Sequence, residues 1–169
     1  VSLLHTPCRA NTNGTRHIKP GGYIELQEIH HFPTNHDNKP LDPSAPLSQF
    51  WNFVSEGLGA LGVDFHQTRK LAQLLRDAGF VNVTERVFHV PLGPWPKNRT
   101  LKVCGLWWRT IILDGLQPIA LGPLTRGLGW RKEEVEAFLV GVRRDIKEGG
   151  HRAYMPLHVV YGQKPEDAF

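Results

Sequence analysis

The chain has 169 residues, 40% of them hydrophobic, 21% charged and 9% aromatic, the balance of an ordinary globular domain and not of a disordered or fibrous chain. A net charge of +4 is too mild to call for a nucleic-acid partner. No run approaches the roughly twenty apolar residues of a bilayer span, and Cys8 and Cys104 cannot staple a chain of this size, so an intracellular protein, cytoplasmic or nuclear, is expected.

Residues 1–17 show no sustained apolar period and read as an irregular lead-in. Lys19-Pro20-Gly21-Gly22 is a turn signal, and the alternating run Tyr23 to Ile29 that follows predicts a strand. His30 to Ala45, with Pro33, Pro40 and Pro43 among polar residues, is expected to be a long loop. Leu47, Phe50, Trp51, Val54, Leu58 and Leu61 recur at helical spacing behind Pro46, which predicts a helix over 46–61. A second helix through Leu71, Leu74, Leu75 and Ala78 is expected to stop at Gly79, in a left-handed cap. The β-branched run 80–90 predicts another strand, stopped by Pro91 and Gly93.

Beyond Pro94-Trp95-Pro96 a helix is expected over about 100–116, apolar nearly all round and therefore covered on several sides. Val135, Phe138, Leu139, Val142 and Ile146 form one face of a further helix, its acids early and its bases late, in accord with the helix dipole. Tyr154 to Gly162 predicts a last strand, and residues 166–169 a polar tail.

Gly57-Leu58-Gly59-Ala60-Leu61-Gly62 fits Gly-x-Gly-x-x-Gly, the phosphate-cradling turn of nucleotide sites. The apolar spacing runs on through Leu58 and Leu61, so the stronger expectation keeps these glycines late in the helix, although each mid-helix glycine costs about 1 kcal/mol against alanine.

The Lys-Pro-Gly-Gly turn with its acidic strand, the Ala78-Gly79-Phe80 helix end, Leu92-Gly93-Pro94-Trp95-Pro96-Lys97 and Tyr154-Met155-Pro156-Leu157-His158-Val159-Val160-Tyr161-Gly162 form a distributed set. Together they resemble fungal S-adenosylmethionine-dependent methyltransferases of the LaeA-like, secondary-metabolism type, over residues 18–165. The resemblance implies an α/β fold, the doubly wound, Rossmann-like sheet of class I methyltransferases. The part seen is its carboxyl half: the last three strands, with a helical lid inserted over 94–150. It implies S-adenosylmethionine as cofactor, while the family's glycine-rich cofactor loop has no counterpart before Lys19. It also implies a small-molecule or protein methyl acceptor, with a truncated, non-catalytic interaction module as the alternative.

Ligands of open α/β sheets bind beyond the carboxyl ends of the strands, which makes Glu25, Gln27, His30 and His31 candidates for the substrate side, with Glu25 and Gln27 on one face. Glu28 is more readily a solvated strand-end acid. Trp107, Trp108, Tyr154, Trp95 and Trp130 could wall a flat substrate or simply pack the inserted helices. Arg109, isolated on an apolar helix, is either a buried ion-pair partner or a substrate anchor. His30, His31, His36 and Asp37 lack any zinc-ligand spacing, so no metal is expected. The basic residues from Lys97 onward alternate with acids and read as a solvated face. In the family's strand order the strand 23–29 would be left with an open edge, a place for a second copy or a partner chain.

Overall fold

A computed structural model describes residues 17–35, 37, 39–148 and 150–166, and among these residues there are three strands and four α-helices. In chain order these are β1 (Tyr23–Ile29), α1 (Pro46–Ala60), a 3₁₀ turn (Gln67–Lys70) running into α2 (Leu71–Asp77), β2 (Val81–Pro91), α3 (Arg99–Leu121) followed by a π-helical turn (Gly122–Gly127), α4 (Lys132–Glu148) and β3 (Tyr154–Gln163). The strands form one sheet in the order β1-β3-β2, with β1 antiparallel to β3 and Tyr23 opposite Gln163. The chain is thus α/β. The expected lead-in over residues 1–17 lies, but for residue 17, outside the described residues, as does most of the expected tail. No helix among the described residues is long and apolar enough to cross a membrane.

The chain divides into two compact units, the first made of the described residues in 1–30, 65–88 and 157–169, the second of those in 31–64 and 89–156. In the first, α2 lies on the sheet through Leu71, Ala72 and Leu75, which pack with Phe80 and Val160, flanked by Ile24, Leu26 and Val83. The expected cap at Gly79 is present. Gly79 takes φ +87°, its N–H donates to Arg76 O and that of Phe80 to Leu75 O, which satisfies the last carbonyls of α2 and returns Phe80 to the core.

The second unit is helical. On α1, Leu47, Phe50, Trp51 and Val54 are each 1% exposed or less, a stripe at the expected spacing; each such side chain contributes roughly 1.5–3 kcal/mol on burial. The glycine-rich run belongs to this helix, not to a nucleotide loop. Gly57 and Gly59 are helical, and only Gly62, past the end, takes a positive φ, +80°.

Two expectations about α3 are corrected. It begins at Arg99, close to the expected start, behind an Asn98 cap that the sequence reading did not name and whose side chain accepts from Leu101 N–H, but runs to Leu121, through Pro118, five residues beyond the predicted end. A proline deprives only one carbonyl of its donor, and the chain absorbs the second proline, Pro123, by widening into the π turn. Nor is α3 covered on several sides. Gly105, Ile112, Leu116 and Ala120 are buried on one face, whereas Leu101, Val103, Leu106, Trp107 and Ile111 are 41–65% exposed on the others.

Candidate functional site

In β1 the alternation expected from sequence puts Glu25 and Gln27 on one exposed face, where the Gln27 amide donates to Glu25 Oε1 at 2.6 Å. They are brought together, and they partner each other. The opposite face of β1, the one on which Ile24 and Leu26 meet α2, carries Glu28 and leads to His30 at the carboxyl end of the strand.

That second face gathers titratable side chains from four elements of the first unit. His158, on β3, stands opposite Glu28 in the strand register, and its Nδ1 lies 2.7 Å from Oε1 of Glu85 on β2. His30, 3% exposed, has its ring 6.3 Å from that of His158 and 6.3 Å from that of His66, just before the 3₁₀ turn. Burial raises the carboxyl pKa of Glu28 above the ordinary range. A carboxylate bonded to Nδ1 of a neutral imidazole fixes the tautomer with its proton there and leaves Nε2 with a lone pair. The Glu85–His158 pair is therefore built to hold or move a proton at Nε2. Sequence reasoning missed Glu85, His158 and His66. The signal available for two of them was parity, since His158 shares a face with Val160, and Glu85 with Val83.

The other candidates lie in the second unit. His31 stacks on Trp51, ring centroids 4.8 Å apart, and burial lowers its pKa to about 4. Tyr154 meets Trp95 edge to face at 4.7 Å and His89 at 5.6 Å, while Trp95 Nε1 donates to Ala153 O. Trp108 Nε1 donates to the Met155 thioether at 3.2 Å. Trp130 joins a separate trio with Phe53 and Phe138. Trp107, at 65% exposed, stands away from all of them, so the aromatic wall reduces to Trp95 and Tyr154, with Trp108 on Met155. Arg109 is half-buried with its stem beside Gly93 and forms no ion pair among the described residues.

A surface cleft of about 320 Å³ is lined by Pro46, Gly141, Arg144, Asp145 and Glu148. Its most deeply set acid has a structural task. Asp145 Oδ2 accepts from Leu47 N–H at the start of α1 (3.0 Å), and Oδ1 lies 2.8 Å from His151 Nε2. No group of three or more His, Cys, Asp or Glu suited to a metal ion occurs among the described residues; His36 lies outside them.

No profile of a known protein family matches the chain. Individual proteins do. The probable methyltransferase tdiE of Emericella nidulans is 32% identical over 148 residues, 88% of this chain and 46% of that protein. The secondary metabolism regulator LAE1 of Cochliobolus heterostrophus is 30% identical over 152 residues, 89% of this chain and 49% of that one. The protein-methionine methyltransferase laeA of Emericella nidulans is 24% identical over 150 residues, 88% and 40% respectively. The chain thus spans about half the length, or less, of the curated relatives it matches.

Proposed function

From its resemblance to the LaeA-like fungal methyltransferases, which extends over 88% of the chain, we propose that this protein supplies the acceptor side of an S-adenosylmethionine-dependent methyl transfer linked to fungal secondary metabolism. In this reading residues 18–165 are the carboxyl half of a doubly wound methyltransferase domain and 94–150 its lid. The observation that carries it is the similarity to proteins named as methyltransferases. The order β1-β3-β2, with β3 antiparallel to β1, agrees with the last three strands of such a sheet. On the acceptor side, the imidazole of His158, held by Glu85, is the group suited to take a proton from a methyl-accepting atom.

The described residues do not fit the methyl donor. The Gly-x-Gly-x-x-Gly run is wound into α1, where a side chain on Gly57 would meet the backbone of Pro123, so it offers no cradle of amides to a ligand, and no step is assigned through the donor. That observation favours a second reading, a non-catalytic interaction module. Its surface would be the outer edge of β1, which ends the sheet among the described residues and carries Glu25 and Glu28 with no base, an edge suited to a basic partner strand.

Isothermal titration with S-adenosylmethionine tests the two readings, run on the chain alone and on the full gene product, alongside transfer of a labelled methyl group. The catalytic reading expects saturable binding and transfer in the full product, with transfer lost in H158A. Absence of binding in both proteins overturns it and leaves the interaction module.

A further inference from the structure

The sheet has a second open edge. In the order β1-β3-β2, β2 is paired on one side only among the described residues, and at 11 residues it is the longest of their strands. Its middle is exposed on both faces: Val87 is 44% exposed and Phe88 51%, with Glu85 and Arg86 beside them. Proteins blunt such edges with charge, and a single Glu-Arg pair between apolar residues is weak protection for a strand of this length.

We propose that β2 pairs with β2 of a second copy of this chain, antiparallel about a two-fold axis at Val87, so that two three-stranded sheets join into one of six strands. The sequence selects both partner and register. In an antiparallel pair joined across a two-fold axis normal to the sheet, directly opposed residues lie on the same face, so partners must share parity. Centring on Val87 sets Val87 against its own copy, Arg86 against Phe88 on one face in both directions, and Glu85 against His89 on the other. The first is an apolar pair, the second a cation over an aromatic ring, the third an acid beside an imidazole. Centring on Arg86 or on Glu85 opposes like charges, which is destabilising, and centring on Phe88 loses both complementary pairs, setting Arg86 against Val90 and Glu85 against Pro91. The β1 edge is less suited to a second copy, because it carries two acids and no base, so no register gives either acid a cationic partner and centring on Glu25 or Glu28 opposes like charges.

The test uses the full chain. Light scattering is expected to give twice the chain mass for the native protein and a monomer for V87K and for F88E, with unchanged circular dichroism. Both replaced side chains are about half exposed, so neither variant empties the core. With Cys8 and Cys104 replaced by serine, V87C is expected to form a disulfide-linked dimer on mild oxidation, because self-opposed Cβ atoms lie within bridging range; T84C, which faces Val90 of the copy, stays unlinked. A monomeric native chain, a dimer that survives both V87K and F88E, or equal cross-linking of T84C and V87C overturns the proposal; survival of the dimer would move the interface to another surface.

Discussion

A Cβ atom on Gly57 would stand 2.3 Å from the carbonyl oxygen of Pro123. The same crossing is closed from the other side, where a Cβ on Gly127 would lie 2.2 Å from Gly57 O. Helix α1 and the π turn therefore meet backbone to backbone, and a glycine that looks costly in mid-helix is what permits the approach.

Gly59, two residues on, has nothing within 4 Å of its would-be Cβ. The two glycines consequently answer the same substitution with opposite signs. G57A is expected to destabilise by about 2–3 kcal/mol, since rigid backbone must move to admit the methyl group. G59A is expected to stabilise by about 0.5–1 kcal/mol through helix propensity and the reduced freedom of the unfolded chain. Urea denaturation of the three proteins measures both; a stabilised G57A would refute the crossing.

His31 makes stability depend on pH. Its folded pKa of about 4 lies below the unfolded value near 6.5, so between these values the unfolded chain binds the extra proton. Stability is fully present above about pH 6.5 and falls as the pH drops toward 4, by about 3 kcal/mol if the imidazole alone is counted. H31F, which keeps a ring against Trp51 and cannot be protonated, is expected to flatten this limb of the profile. Denaturation midpoints at pH 4.5, 5.5 and 6.5 provide the measurement, and parallel profiles for the two proteins would rule His31 out as the cause.

Asp145 fastens α4 to the first turn of α1. D145A removes the acceptor of Leu47 N–H and the partner of His151 together, with an expected loss of about 1–2 kcal/mol. H151Q removes only the partly exposed contact with Asp145 and is expected to cost under about 1 kcal/mol. Equal losses in the two variants, measured by thermal unfolding, would show that the cap at Leu47 contributes nothing.

The elements that could be read from the sequence are those whose signal is local. Strand β1 begins and ends where its alternation does, α1 follows its apolar stripe to within a residue, and Gly79 caps α2 as its position implies. Composition misled at α3, because apolar content states what a helix could bury and not how many neighbours arrive to bury it; the side carrying Trp107 and Ile111 has none among the described residues. The site was legible by halves. His30 could be placed at a strand end, but Glu85 and His158 are 73 residues apart, and Asp145 is 98 from Leu47, pairings that only strand order and helix packing create. Glu25 and Gln27, the best-placed polar pair by alternation, prove to satisfy each other.

Lys164 closes the first unit in a way that bears on how it opens. The side chain is buried and donates from Nζ to Ile18 O, its backbone N–H donates to Gly22 O, and its carbonyl accepts from Gly21 N–H. The turn that launches β1 and the residue that follows β3 are thus laced by three bonds, one of them from an ammonium group with little access to water. Peeling β3 from the sheet would break all three at once, and fraying the turn would take a carbonyl acceptor away from the buried side chain. The entry and exit of the sheet share one latch, so their amide hydrogens exchange with solvent as a single cooperative unit and not as two loose ends.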